Sequence, residues 1–314
     1  MIHERHTIDC EPAQPGYVGA YLRVAGTECA IIETYTSHAL PHLVRAVESR
    51  GLRKEDVRYV AVTHAHLDHA GGASAAMAAF PNAILLAHPR AARHLVAPDK
   101  LVASATAVYG EEHFRRVYGT IEPIPEGRVR TLDDGASVEL GDSVLVAHHT
   151  QGHAKHHLVL HDAATGTVYT GDTFGLVYPH LQRKGTFAFA STSPTDFDAK
   201  AALASITKVV SLGERTASPT HFGDVTEVAA VAEQVQRFVE ASEALVAREA
   251  SRFDTLVEVT TRIEADLRTL FDAHAKAVGL ELDARDLRSL ELDVTLNAQG
   301  LAFAAKKRHE GTAG

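Results

Sequence analysis

The sequence contains almost no cysteine, with only Cys10 and Cys29 among its 314 residues. A chain of this length buries a full hydrophobic core without covalent cross-links. The disulfide framework of a small secreted domain is therefore neither needed nor available. We expect both thiols to act as small, inert apolar groups.

Long apolar runs and basic runs are also missing. No apolar stretch reaches the length of a membrane span, and the N-terminal Met1–His6 lacks the apolar run of a signal peptide. The formal net charge is −9, and the nearest basic run, Lys306–Arg308, lies near the C-terminal end. These features predict a cytoplasmic protein with no membrane partner and no nucleic-acid partner.

Two common catalytic signatures are absent from the sequence. It has no glycine-rich phosphate-binding loop of the kind that opens a dinucleotide fold. It also has no Gly-x-Ser-x-Gly turn that would carry a nucleophilic serine. Strand-like and helical patterns nevertheless alternate along residues 17 to 212, and this alternation favours a layered α/β fold.

One short segment concentrates groups that bind metals. Three imidazoles and a carboxylate occur within six consecutive residues: His64, His66, Asp68 and His69. The apolar run Val57–Val62 leads into the segment and Gly71-Gly72 ends it, so we expect a strand followed by a tight turn. Zinc, iron and manganese accept these ligands, and burying them together without a metal would leave lone pairs and a negative charge uncompensated. The segment predicts a metal site; a histidine-rich loop without metal, in a chain with 20 histidines, is the alternative.

Further candidate ligands follow at the ends of three later strand-like runs. They lie in the segments His148–His153, Gly171–Thr173 and His221–Gly223. The order His-x-His-x-Asp-His, Gly-His, Gly-Asp and His-Phe-Gly resembles the signature of the metallo-β-lactamase superfamily. The resemblance extends over residues 15 to 224.

This resemblance implies an αββα metallo-β-lactamase sandwich with a metal centre at one edge of its two sheets. It also implies a ligand set: His64, His66 and His153 for a first metal, Asp68, His69 and His221 for a second, and Asp172 as the bridge between them. Two divalent ions bring four positive charges, of which Asp68, Asp172 and a bridging hydroxide offset three. We expect zinc at both positions, with iron and manganese as the alternatives.

The reaction common to the superfamily implies a metal-bound hydroxide that attacks a carbonyl or phosphoryl group of a small molecule. Asp68 would be the catalytic residue that orients the hydroxide and carries its proton. Asp172 stands where zinc β-lactamases have Cys or His, and Gly175 stands where acyl-homoserine lactonases have Tyr, so we expect neither activity. The ligand set is similar to that of glyoxalase II-like enzymes, which implies a hydrolase of small thioesters or esters.

An alternative interpretation comes from the persulfide dioxygenases, which share the histidine and aspartate pattern but bind a single iron. By this resemblance, His64, His153 and Asp172 would hold the iron. The order of the ligands alone does not separate oxygen activation from hydrolysis. A metal-binding module without catalysis is disfavoured because all seven ligand positions are present.

The loop of residues 174–187 directly follows the predicted bridging aspartate. It carries four candidates for substrate contact: Tyr178, His180, Arg183 and Lys184. The two basic side chains would suit a carboxylate or a phosphate, while a surface loop without a role in binding is the alternative. His88 follows another strand-like run, and for it we expect a hydrogen-bonded structural role.

The pattern changes after residue 225. Apolar residues keep helical spacing from Val228 to Leu245 and from Leu256 to Phe271. This spacing predicts two long helices packed against each other, with a shorter helical end through Leu301. We therefore divide the chain into a catalytic domain, residues 1–224, and a helical extension, residues 225–314. The extension either shapes the substrate pocket or serves packing and homodimerisation.

Overall fold

Residues 3–10, 15–192 and 195–312 are described by the computed structural model of the chain. They divide into two units. The first unit holds the described residues up to His149, together with His156–Gly171 and Glu214–Asp224. The second unit holds Thr150–Lys155, Asp172–Gly213 and the chain from Val225 onward.

The first sheet of the first unit has six strands that lie side by side in chain order. They are β1 (His3–Asp9), β2 (Gly19–Ala25), β3 (Glu28–Ile32), β4 (Val57–Ala61), β5 (Ile84–Ala87) and β6 (Val129–Thr131). β1, β2 and β3 are antiparallel neighbours, whereas β3 to β6 run parallel. A tight turn joins β2 and β3, and Gly26 within it has a φ of 61°, which glycine adopts without strain.

The second sheet also belongs to the first unit and has five strands in the order β11-β10-β9-β8-β7. They are β7 (Ser137–Leu140), β8 (Ser143–His149), β9 (Leu158–Asp162), β10 (Thr167–Gly171) and β11 (Thr216–Pro219). Only the pair of β10 and β11 is parallel among them. An apolar layer joins the sheets: Tyr21, Ile32 and Leu86 from the first, and Leu145, Leu160 and Tyr169 from the second. The two sheets therefore face each other across a buried core.

Six helices complete the first unit. They are α1 (Leu40–Glu48), α2 (Leu67–Ala70), α3 (Ala73–Ala79), α4 (Pro89–Val96), α5 (Asp99–Tyr109) and α6 (Glu111–Tyr118). Leu43, Met77 and Leu95 pack into the core on the outer face of the first sheet, against Ile31 and Leu85. Three of these helices, α4, α5 and α6, follow one another between β5 and β6.

The second unit is mainly helical. Its helices are α7 (Ala199–Ser211), α8 (Val228–Ala250), α9 (Leu256–Ala277), α10 (Ala284–Ser289) and α11 (Glu291–Thr312). Phe238 on α8 and Phe271 on α9 meet with ring centroids 5.1 Å apart, which confirms the two long helices. The shorter helical end is wrong, because α11 has 22 residues, as many as α9.

Asp224 ends the last segment of the first unit, and Val225 begins the last segment of the second. The assignment of catalysis to residues 1–224 and of an accessory role to residues 225–314 stays a prediction. Within the described ranges, no helix combines the length and the apolar character that crossing a membrane requires.

A buried ion pair interrupts the apolar contact between the sheets of the first unit. The guanidinium of Arg23 on β2 donates to the carboxylate of Asp162 on β9, and both side chains are fully buried. Arg23 also donates to the hydroxyl of Ser143 at 3.1 Å, and Thr165 donates to the Asp162 carboxylate at 2.7 Å. The surrounding hydrogen bonds make this charge pair tolerable in the interior.

We predict that Arg23→Met lowers the free energy of unfolding by about 3–5 kcal/mol, because it leaves the Asp162 carboxylate buried without its cation. Urea denaturation measures the change. Arg53→Met is the matched control, since Arg53 pairs with Asp56 at an exposed site and surface pairs contribute little. A loss for R23M no larger than that for R53M would contradict the prediction.

Candidate metal centre

The histidine-rich segment forms a short loop after β4 that continues through the single turn of α2. Hydrogen bonds from the backbone N–H of His69 and of Ala70 to the carbonyl of His66, at 3.0 and 2.8 Å, close the first turn of α2. Gly72 ends the loop where a Cβ atom would lie 2.5 Å from the carbonyl oxygen of Thr34. Glycine is therefore required there, because the loop packs directly against the backbone that follows β3.

His64 and His66 turn ring nitrogens towards each other. The Nε2 atom of His64 lies 2.8 Å from the Nδ1 atom of His66. Two nitrogens bound to one tetrahedral zinc at about 2.0–2.1 Å would be about 3.3 Å apart. The observed separation is a shorter, hydrogen-bond distance, so the two nitrogens are close enough to reach one ion, and their binding of the first metal stays a prediction.

Asp68, His69 and His221 form a second group in the same unit. The Oδ2 atom of Asp68 lies 3.8 Å from Nε2 of His69 and 3.4 Å from Nε2 of His221. One ligand atom from each residue lies within 4.8 Å of the other two. Both histidines are buried, whereas the Asp68 side chain is 44% exposed. The group can hold one cation and still present a carboxylate to an incoming molecule.

The other ring nitrogens of these histidines have partners in the first unit. Nδ1 lies 3.0 Å from the Thr63 hydroxyl in His64, 3.3 Å from the Glu33 carboxylate in His69 and 3.0 Å from the Tyr17 carbonyl in His221. Metal-bound histidines have such partners, which fix the tautomer and the ring orientation. The three Nε2 atoms lie on the side of the other candidate ligands, His66 and Asp68.

Sequence reasoning missed Thr63, Tyr17 and Glu33. Thr63 and Tyr17 act through a hydroxyl and a main-chain carbonyl, and neither contact has a sequence signal. Glu33 had one, because it is an acidic residue directly after the apolar run Cys29–Ile32. A carboxylate at the end of a buried strand merits the same consideration as a histidine there.

His153 and Asp172 lie together in the second unit. The His153 Nε2 atom is 3.5 Å from Oδ2 of Asp172, and its Nδ1 atom is 3.2 Å from the carbonyl of Ser191. Gly152 positions the histidine with a φ of 125°, and a Cβ atom there would lie 2.3 Å from the backbone nitrogen of Ala202. The joining of this pair with the five residues of the first unit into one centre stays a prediction.

The candidates for substrate contact are bonded within the second unit. The Tyr178 hydroxyl donates to Asp293 at 3.1 Å, His180 Nε2 lies 2.8 Å from the Ser289 hydroxyl, and Arg183 donates twice to Asp286, at 2.8 and 2.6 Å. The Arg183 guanidinium also lowers the pKa of the Asp286 carboxyl. Lys184 is exposed. These contacts attach the loop to α10 and α11, and a role of the four residues in substrate binding stays a prediction.

Other histidines of the first unit have structural contacts. Nδ1 of His88 accepts the N–H of Arg90 at 3.0 Å, and burial lowers the pKa of His88 to about 4. The structural role predicted for His88 is therefore confirmed. His157 is fully buried beside the His64 ring, whereas the half-buried His156 accepts the Ala65 N–H at 3.3 Å.

The two cysteine thiols have the buried surroundings expected of small apolar groups. Cys10 and Cys29 are both buried and form no disulfide. Burial raises the pKa of the Cys29 thiol to about 12, so it stays protonated at neutral pH.

The family model of the metallo-beta-lactamase superfamily matches residues 13–221 of the chain. Among solved structures, the chain is similar to ST1585, an archaeal metallo-β-lactamase superfamily protein from Sulfolobus tokodaii. The identity is 20% and the TM-score 0.66, covering 96% of this chain and 99% of that protein. The chain is also similar to the metallo-β-lactamase family protein TTHA1429 from Thermus thermophilus. Here the identity is 21% and the TM-score 0.65, covering 98% and 94%.

A third similar structure is a peroxy diiron species of the chemotaxis sensor ODP, at 14% identity and a TM-score of 0.54. The match covers 74% of this chain and 90% of that protein. At these identities the solved structures establish the fold alone, and they confirm the predicted metallo-β-lactamase fold class with its helical C-terminal region. No curated relative matches the sequence.

We predict that Gly171→Ala disturbs the first metal position through Thr63. Gly171 has a φ of 52°, and a Cβ atom there would lie 2.5 Å from the Thr63 hydroxyl and 2.6 Å from Nε2 of His157. Because that hydroxyl holds Nδ1 of His64, we expect metal affinity to fall about 10–100-fold. Chelator competition measures the change.

Gly135→Ala is the matched control for the clash. Gly135 also has a positive φ, 81°, but a Cβ atom there would meet nothing within 4 Å. The control carries the backbone strain without the contact, so its metal affinity should equal that of the wild type. Equal losses in G171A and G135A would show that strain alone, and not the Thr63 contact, is responsible.

Proposed function

Because this chain belongs to the metallo-β-lactamase superfamily, whose members are mostly metal-dependent hydrolases, we propose that it hydrolyses small thioesters or related esters. The observation that carries the proposal is the convergence of five potential ligands in the first unit: His64, His66, Asp68, His69 and His221. A histidine cluster with a purely structural role would not need to place the Nε2 atoms of His69 and His221 beside the exposed carboxylate of Asp68.

The donor set fits divalent metal ions. We propose that His64, His66 and His153 hold one ion, that Asp68, His69 and His221 hold a second, and that Asp172 bridges them. All seven donors are imidazole or carboxylate, which zinc binds readily, and iron or manganese are the alternatives. The outer-nitrogen contacts support the assignment, since each of them engages Nδ1 and so orients Nε2 of its histidine towards other candidate ligands.

When bound, such ions polarise a substrate carbonyl and lower the pKa of water from 15.7 to about 7, so that a nucleophile is present at neutral pH. Asp68 is the residue of the chain that would handle the proton. Its carboxylate is the exposed member of a buried group, so it can accept a hydrogen bond from water, take the proton and pass it to the leaving group.

Asp68, the exposed carboxylate of the group, favours thioesters over amides as the substrates of the proposed hydrolysis. A thiolate leaves readily, because its conjugate acid has a pKa of about 8.5. An amine leaves only after protonation by a well-placed general acid. Asp68 is therefore sufficient as the acid–base residue for thioester hydrolysis.

The alternative function is a persulfide dioxygenase-like oxidation at a single iron. The His153–Asp172 pair, with His64, would be its ligand set. The similarity to the diiron sensor ODP keeps redox chemistry within the range of the fold, although at 14% identity it concerns the fold alone.

The deciding experiment combines metal analysis with two assays on the purified full-length chain. We expect two zinc ions per chain and turnover of S-acyl thioesters of small thiols. One iron per chain, with oxygen uptake that depends on an added persulfide, would overturn the hydrolase in favour of the alternative. Zinc-loaded Asp68→Asn should lose most of the thioesterase activity, since the proton acceptor is gone, and it should also hold the second ion more weakly, since Asp68 is one of its proposed ligands.

Single ligand substitutions should also separate the two metal positions. We predict that His69→Ala empties mainly the second position, whereas Asp172→Asn weakens both together because the bridge is lost. Metal content after dialysis measures both effects. His113→Ala on α6, which removes an exposed imidazole, is the control and should keep both ions. Equal loss of both ions in His69→Ala would refute the proposed division of ligands.

A further inference from the structure

Glu33 is a buried carboxylate to which the proposed reaction assigns no task. It follows β3, is 1% exposed and has a φ of 69°, in the left-handed region that non-glycine residues rarely adopt. Its backbone N–H donates to the carbonyl of Ala61 at the end of β4, at 2.8 Å. A strained backbone and a buried charge at one residue indicate a specific purpose for that side chain.

The two carboxylate oxygens of Glu33 connect the two ends of the metal loop. Oε1 accepts the backbone N–H of Thr63, just before His64, at 3.1 Å. Oε2 lies 3.3 Å from Nδ1 of His69, whose side chain is fully buried. One side chain therefore fixes both the start of the loop and a predicted ligand near its end.

The contact with His69 favours one position of the ring proton. An ionised carboxylate can only accept hydrogen bonds, so an oxygen 3.3 Å from Nδ1 favours the tautomer with the proton on that nitrogen. Nε2 then presents its lone pair on the side of Asp68, whose Oδ2 atom is 3.8 Å away. This is the tautomer that a metal ion requires.

The charge of Glu33 favours the metal-bound state as well. A carboxylate removed from water is costly unless a cation compensates it. In the metal-free protein, the Glu33 carboxylate faces the backbone N–H of Thr63 and the neutral imidazole of His69, and neither of them is a cation. A divalent ion on the far side of the His69 ring would supply the missing positive charge.

We propose that Glu33 is a positioning residue of the second metal site, which raises the affinity for the ion held by Asp68, His69 and His221 while lowering the stability of the metal-free protein. This inference rests on the metal centre of the proposed function. It assigns to one residue two opposite effects, which a residue with a purely structural role would not combine.

The test is Glu33→Gln, which keeps the shape of the side chain. The amide oxygen can still accept the Thr63 N–H, but the amide NH₂ then faces Nδ1 of His69 and favours the proton on Nε2. We expect a loss of about 10- to 100-fold in affinity for the second zinc ion, with the first ion little affected. The metal-free variant should melt no lower than the metal-free wild type. Zinc titration with a competing chelator and thermal melting measure these quantities.

Glu28→Gln, at the start of the strand that Glu33 follows, is the matched control. Its carboxylate also accepts a backbone N–H, from Gly141 at 3.1 Å, but no imidazole is among its hydrogen-bond partners in the described structure. The control removes the same charge and should bind both zinc ions as the wild type does. Glu33→Asp, which keeps the charge on a shorter side chain, should bind the second ion with intermediate affinity, and it replaces Glu33→Gln if that variant does not fold.

Unchanged affinity for the second ion in Glu33→Gln would overturn the inference and leave the proposed function intact. Equal weakening of both ions, together with a lower melting temperature of the metal-free variant, would also overturn it, because Glu33 would then be structural only. A wild-type protein that binds no second zinc ion would refute the metal centre itself and this inference with it.

Discussion

The positions of the predicted metal-binding ring nitrogens depend on the hydrogen bonds that hold the backbone at the ends of β3 and β4. These parallel strands lie in the middle of the first sheet, covered by apolar cores on both faces. Beyond β3, the N–H and hydroxyl of Thr34 both donate to the carbonyl of His69, at 3.0 and 2.7 Å. The main chain of the loop is thus hydrogen-bonded to the segment that follows β3, and this support limits the movement of the imidazoles.

Glycine makes a second contribution to this rigidity in each unit. Gly171 and Gly152 directly precede the predicted ligands Asp172 and His153, and both have positive φ angles of 52° and 125°. In each case a Cβ atom would clash with a close neighbour: the Thr63 hydroxyl in the first unit and the backbone of Ala202 in the second. The glycines therefore allow close packing beside the ligands, and their conformational freedom is used up in the folded state.

The sequence predicted those features of the structure that produce a periodic apolar pattern or a cluster of one residue type. The strands before the ligand segments and the paired helices α8 and α9 follow from apolar spacing. The length of α11 did not, because its buried residues include alanines, Asp293 and Asn297, which weaken the apolar signal. Contacts such as that of Glu33 with His69 join residues 36 positions apart in the chain, and only the pairing of β3 with β4 brings them together.

The two proposed metal positions differ in electrostatic character, and this difference bears on the chemistry. The first would have three neutral imidazoles, with the Thr63 hydroxyl behind His64. The second would have the Asp68 carboxylate directly and the Glu33 carboxylate behind His69. Negative charge near an ion reduces its Lewis acidity, so the first ion would polarise a carbonyl more strongly while the second would be more tightly held. In the proposed hydrolysis, one ion of such an asymmetric pair would activate the carbonyl and the other would serve as the anchor.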